Sequence, residues 1–326
     1  MIAYTSANIR AWSMLGSNGA FGFAALELPE MDKSIAMLTA DEMYFSGLER
    51  FGAKFPERFY NIGIAEQNLV GVAAGMSKEG LNVFATTYAT FASARSCDQV
   101  RVNMGYMKLG IKLVGLTAGL SVGSLGATHC SVEDIAIMRA IPNITILSPA
   151  DCTETVKATI AASEHKGPVY LRLTGGQPNQ PVYKSDYAFE IGKAIQLREG
   201  GDVAIVATGA MVHASVEAAK ELAEQGISCA VIDMHTIKPL DEAALLDTLG
   251  AKLLVTVEEH SRKGGLGGAV AEFLAGVRVK PPQLIIGIAD EFKNAADYPH
   301  LLQQFGLTAP QIAQTIREKY QEVQLG

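Results

Sequence analysis

Short apolar runs alternate with amphipathic stretches along most of the chain, the pattern of an α/β protein with largely parallel sheets. In the first half, residues 35–38, 83–86, 112–116, 145–147 and 169–173 read as strands. Helices are predicted to begin near Glu66, Phe91, Val132 and Asp151. The step Pro149-Ala150-Asp151 is a good helix start: the proline stops the strand, and the carboxylate lies near the helix N-terminus. Residues 174–187 break the rhythm. The run Gly-Gly-Gln-Pro-Asn-Gln-Pro, followed by polar positions, has the turn-former density of a linker. Beyond it the alternation restarts, with 203–207, 229–232, 253–257 and 284–288 reading as strands. The expected architecture is therefore two α/β domains, residues 1–183 and residues 188–326.

Composition narrows the function classes. The chain has 326 residues, enough for two domains, with 48% hydrophobic and 19% charged positions. A net charge of -7 argues against a nucleic-acid binder, because phosphate contacts demand clustered Lys and Arg. No run approaches the roughly 18 apolar residues of a membrane span. The first residues lack the basic-then-apolar pattern of a signal peptide, and the four cysteines are scattered without a paired spacing. A cytoplasmic protein with no membrane partner, disulfide framework or zinc site is expected.

The most informative run is Tyr60-Asn61-Ile62-Gly63-Ile64-Ala65-Glu66-Gln67-Asn68-Leu69-Val70-Gly71-Val72-Ala73-Ala74-Gly75. An apolar strand leads into a carboxylate, and a helix of small residues follows. Glu66 would then sit at the junction, where neighbouring chains can desolvate it. Alone, it reads as an ordinary helix-start glutamate complementing the dipole. Downstream, Tyr88 and Phe91 end the next strand three residues apart, a pattern more often core packing than a cofactor slot. A glycine-rich loop then runs from Gly119 to His129 with little that could pack a core, so His129 reads as a site histidine. A second glycine loop, 264–268, admits an anion-binding reading, but packing against a helix is the expected use.

Taken in this order, the runs resemble the pyrimidine-binding domain of the transketolase family. Gly63-Ile64-Ala65-Glu66-Gln67 carries the central motif; Thr128-His129, Ile141-Pro142-Asn143 and Ser148-Pro149-Ala150-Asp151 reinforce it. Thr236-Ile237-Lys238-Pro239-Leu240-Asp241 and Val257-Glu258-Glu259-His260-Ser261 resemble the family's smaller C-terminal domain. The resemblance implies thiamine diphosphate as cofactor. Glu66 would hydrogen-bond its pyrimidine and shift the ring toward the imino tautomer that deprotonates the thiazolium. A carboxylic acid in a low-dielectric site suits that work, because burial favours its neutral, donating form. Phe91 and Tyr88 would wall the pyrimidine, with Ile64 and Asp41 also near the cofactor. His129 would hydrogen-bond the sugar donor, and Arg172 would bind the phosphate of sugar substrates. The spacing from Phe91 to Asp98-Gln99 differs by one residue from the family's.

What is missing bears on assembly. The family holds the diphosphate through magnesium, using a Gly-Asp-Gly motif that occurs nowhere in this chain. The resemblance therefore implies a second polypeptide, an N-terminal subunit carrying that motif and the Mg2+ ligands, in a two-by-two heterotetramer. Two of the family's substrate-phosphate ligands fall on Phe45 and Thr117, a third aligns best with Asn18 although Arg10 is nearby, and its hydroxyl-reading aspartate falls on Leu125. These changes imply a ketose donor that is branched, sulfonated or differently phosphorylated. The rival readings are the beta subunit of a 2-oxo acid dehydrogenase, a deoxyxylulose-phosphate synthase and a non-catalytic subunit that kept the fold.

Overall fold

The computed structural model describes residues 2–325. Its strands are β1 (Ile35–Thr39), β2 (Phe59–Asn61), β3 (Asn82–Tyr88), β4 (Lys112–Leu116), β5 (Thr145–Leu147), β6 (Val169–Arg172), β7 (Ile195–Arg198), β8 (Val203–Ala207), β9 (Cys229–Asp233), β10 (Thr236–Lys238), β11 (Leu253–Ser261) and β12 (Gln283–Ile288). Two sheets result, in the orders β10-β5-β6-β4-β3-β1-β2 and β12-β11-β8-β9-β7. The pairings are parallel except for β10 on β5 and β7 on β9, at the sheet edges. Strands β1, β3, β4, β5 and β6 are buried at every position, as strands covered by helices on both faces must be; only Asn82, which opens β3, is half-exposed.

The two α/β sheets match the expected fold class, and each predicted strand is present. Three short strands, β2, β7 and β10, carry too few apolar residues to announce themselves. Strand β10 crosses over: it follows the second sheet's β9 in sequence but pairs with β5 of the first sheet. The helix Ser6–Met31 has no counterpart among the predicted elements. It buries Trp12, Phe21 and Leu28 and packs Ile9, Trp12, Ala20 and Ala24 against Cys152 and Val156 of the helix Cys152–Glu164. A kink at Gly16 (φ 72°, ψ 172°) divides it into two helical pieces, so no single stripe runs its length.

Asp151 caps that second helix, accepting from the Glu154 N–H at 2.8 Å. Its other oxygen accepts from the Val182 and Tyr183 N–H groups at 2.7 and 3.0 Å. The linker is thus fastened to the first domain. Tyr183 stacks on Tyr187 at 3.8 Å, and their hydroxyls donate to Asp233 (2.7 Å) and Glu154 (3.1 Å) respectively.

A second buried network joins the sheets. Arg172, at the end of β6, donates from Nε to Asp134 at 2.8 Å and from Nη2 to the Glu259 carbonyl at 2.9 Å. The Tyr170 hydroxyl donates to the same Asp134 oxygen at 2.8 Å. Arg172 is 2% exposed and Asp134 fully buried, so each charge depends on the other for its solvation. Arg172→Met is expected to destabilise the fold by about 3–5 kcal/mol, because it leaves a buried carboxylate unpaired. Urea unfolding measures this, and a loss well under 1 kcal/mol would show that the pair does not hold the domains together.

Candidate active site

The central strands deliver the candidate residues to one edge of the first sheet. In parallel register Thr39 lies beside Thr86, and Tyr88 beside Leu116, so β1, β3 and β4 end together. In open α/β sheets this carboxyl edge is where ligands bind. The chain leaves β2 through Asn61, whose carboxamide oxygen accepts from the Asp41 and Gly63 N–H groups at 3.0 and 2.9 Å. Asn61 donates back to the Asp41 carboxylate at 2.7 Å. Gly63 has φ 77°, a conformation glycine adopts without strain, and the turn it makes leads into the helix Glu66–Lys78. Ile64, on this turn, is 78% exposed.

Glu66 is 4% exposed at the first position of that helix. The chain's own residues already accomplish this burial. Its carboxylate meets the Arg95 guanidinium, Nη1 to Oε1, at 2.6 Å. The same guanidinium lies 3.8 Å from the centroid of the Phe91 ring. Phe91 and Arg95 bound a π-helical turn, with the Ser96 N–H bonded back to the Phe91 carbonyl five residues away at 3.1 Å. Such a turn accommodates one residue more than an α-turn, and it lies within the stretch from Phe91 to Asp98.

His129 stands edge-on to Phe91 and Tyr88, with ring centroids at 5.3 and 5.6 Å. The Thr128 hydroxyl lies 2.9 Å from its Nδ1. The loop bearing His129 is closed at its base by the Gly119–Ser131 bridge and tied to the second domain by Glu259, which accepts from the Leu120 N–H at 2.5 Å. The structure thus brings Glu66, Tyr88, Phe91 and His129 into one constellation, with Asp41 and Ile64 on the segments leading to it. Arg172 stands apart. Its guanidinium is enclosed between the domains by Asp134 and Glu259, so the phosphate-binding role the resemblance implied is corrected to a structural one.

Arg95, Asn61 and Glu42 went unrecognised in the sequence. Arg95 is one arginine among several until the π turn points it at Glu66. Glu42 is buried next to the strained Asp41, whose φ is 66°. Burial pushes the Glu42 carboxyl up to about 8; the Tyr88 N–H opposes this shift, and the nearby Glu66 carboxylate adds to it. Its Oε2 has no hydrogen-bond partner.

A cleft of about 600 Å3 adjoins this constellation. Its wall includes Asn18, Tyr44, Phe45, Arg50, Thr117 and Gln177. Phe45 links the two places, its ring centroid 6.0 Å from that of Tyr88. Thr117 holds φ 52°, costly for a β-branched residue, and the buried Asn18 Oδ1 has no hydrogen-bond partner. Arg50 is the cation among the lining residues, with Glu49 beside it. Asn18, Phe45 and Thr117, the positions onto which the resemblance carries the family's phosphate ligands, therefore share one cleft. The second glycine loop holds no such vacancy for an anion: Glu258 accepts from the Leu266 and Gly267 N–H groups at 2.7 and 2.8 Å, taking the helix N-terminus itself.

Glu42 gives a test of this electrostatic picture. Because folding raises its pKa from 4.5 to about 8, the folded state holds a proton that the unfolded chain releases, and stability drains away as pH rises across that interval. Glu42→Gln has no such proton to lose. Its Tm, relative to the parent, is expected to climb between pH 4.5 and about 8 and then level off. Scanning calorimetry across the range decides; a pH-independent difference would mean that Glu42 is ionised in the fold.

Two family profiles cover the chain: "Transketolase, pyrimidine binding domain" over residues 15–179 and "Transketolase, C-terminal domain" over residues 192–312. The chain is 40% identical to a putative transketolase C-terminal section of Methanocaldococcus jannaschii over 93% of its own length and 96% of the relative's. It is 41% identical to a 6-deoxy-6-sulfo-D-fructose transketolase subunit of Clostridium sp. (strain MSTE9), covering 90% of this chain and 91% of that one. Among solved structures, a split-gene transketolase described as an inactive beta4 tetramer superposes with TM-score 0.85 at 39% identity, over 93% and 97% of the two chains. A carboxylate at a helix start, an aromatic face and a loop histidine meet here at the edge of a parallel sheet, and sequence and fold place that arrangement in one lineage: the chain belongs to the transketolase family, as a section joining its pyrimidine-binding and C-terminal domains.

Proposed function

We propose that this chain is the C-terminal subunit of a thiamine-diphosphate-dependent transketolase, transferring a two-carbon ketol unit from a ketose to an aldose. The observation that carries the reading is the pairing of the buried Glu66 carboxylate with the Phe91 face. Together they already hold one flat, N–H-bearing group, so the slot suits an aminopyrimidine. When bound, thiamine diphosphate would supply a thiazolium carbon acid whose conjugate base is nucleophilic toward the donor carbonyl. Glu66 would hydrogen-bond the pyrimidine nitrogen through its carboxyl group. Phe91 offers its face, and Tyr88 braces Phe91 at 5.8 Å. His129 presents its imidazole to donor hydroxyls, and Asp41 and Ile64 line the approach.

A second chain with the Gly-Asp-Gly motif supplies the diphosphate and magnesium contacts, in a two-by-two heterotetramer in the cytoplasm. The missing motif and the match to relatives that are themselves sections or subunits support this. No helix among the described residues is long and apolar enough to cross a membrane. The adjoining cleft supports a donor other than ordinary pentose or hexose phosphates. It presents Phe45, Thr117 and Asn18 with the lone cation Arg50, where a phosphate would gain most from several charge-assisted donors. That a relative is named for a sulfonated ketose is in keeping with this.

Calorimetric titration of thiamine diphosphate with Mg2+ is expected to show binding only when the partner chain is present; tight magnesium-dependent binding to this chain alone would defeat the split-site reading. Glu66→Gln is expected to keep its fold and lose at least about a hundredfold in turnover, the low end of what a positioned acid–base group contributes. The donor assignment fails if kcat/KM with xylulose 5-phosphate matches that of the best sulfonated or branched ketose.

A further inference from the structure

The Glu66–Arg95–Phe91 arrangement contains a conflict. Arg95 places a planar cation on the Phe91 ring at 3.8 Å and donates to Glu66 at 2.6 Å. These are the two contacts that the Proposed function asks of the pyrimidine: a flat group on the aromatic face, and an N–H partner for the same carboxylate. A pyrimidine stacked on the same face as that guanidinium would exclude it. His129 and Tyr88 already stand edge-on to Phe91 and crowd its surroundings.

We propose that Arg95 is a built-in competitor of the cofactor, a latch whose guanidinium must leave Glu66 and Phe91 before the pyrimidine can engage them. The inference rests on the thiamine-diphosphate reading of this site. The asymmetry of burial makes the exchange feasible. Glu66 is fixed and 4% exposed, whereas the Arg95 side chain is 46% exposed and can swing toward solvent without crossing the core. The backbone stays put, since the Arg95 carbonyl accepts from the Gln67 side chain at 3.1 Å and the π turn is closed by its own hydrogen bond. Only the side chain needs to move. The latch also changes what Glu66 can do. Paired with a guanidinium, its carboxylate is taken up by Arg95; with the latch open, that oxygen is available to meet the pyrimidine.

Arg95 fits this role better than lysine would. A guanidinium is flat and weakly hydrated, so it stacks and hydrogen-bonds at once, whereas an ammonium is a hydrated point charge with no face. A site that closes its latch nine-tenths of the time weakens apparent affinity about tenfold.

The test measures the dissociation constant of thiamine diphosphate, with saturating Mg2+, for the complex of this chain and its diphosphate-binding partner. Arg95→Ala is expected to bind about tenfold more tightly than the parent. Arg95→Lys, which keeps charge but not planarity, is expected to fall between the two. Circular dichroism and complex formation by gel filtration establish that each variant is folded and assembled. Equal affinity in parent and Arg95→Ala would overturn the latch while leaving the cofactor assignment standing. Weaker binding by Arg95→Ala would overturn it too, and make Arg95 a cofactor ligand instead. Binding by no variant would remove the thiamine-diphosphate reading, and the latch with it.

Discussion

A single buried ion pair organises the region between the two sheets. Arg172 and Asp134 are both withdrawn from water, so neither charge is tolerable without the other and without further hydrogen bonds. Those bonds come from Tyr170 below and the Glu259 backbone above, and therefore from both domains. The Glu259 side chain extends the same network to Leu120 and the Tyr298 hydroxyl. Burial raises the Glu259 carboxyl, and the Leu120 N–H and Tyr298 hydroxyl pull the other way. Position of the His129 loop is thus set from beneath, by a domain that contributes no side chain to the constellation itself.

The site is assembled under local strain and close packing. Asp41 and Thr117 hold left-handed backbone at the ends of β1 and β4, where the sheet stops and the chain must turn sharply. Asn61 offsets some of that cost by bonding the Asp41 and Gly63 N–H groups at once. Around Phe91, a π turn sets Arg95 against Glu66. The same guanidinium lies on the aromatic ring.

The family and its fold were legible because their causes are local. A strand buried on both faces must be apolar, and a turn such as Gly63 needs the conformational freedom of glycine. Glu66, Tyr88, Phe91 and His129 could be named from such runs. The helix Ser6–Met31 could not, since a kink at Gly16 breaks it in two and no one period runs its length. Nor could β10, whose three residues owe their pairing to β5, some ninety positions earlier.

By itself the sequence determined the alternation of strands and helices, the carboxylate at the helix start and the lack of a Gly-Asp-Gly anchor, because each is a property of a short stretch of chain. The partnerships were decided only by the tertiary structure. Arg172, which a motif comparison aimed at a substrate phosphate, is consumed by Asp134; Glu258, beside an inviting glycine loop, fills the anion position itself. Arg95 acquires its meaning only when a π turn sets it between Glu66 and Phe91. A charge is defined by what solvates it, and in a folded chain the solvating groups come from residues distant in sequence, which no local pattern records.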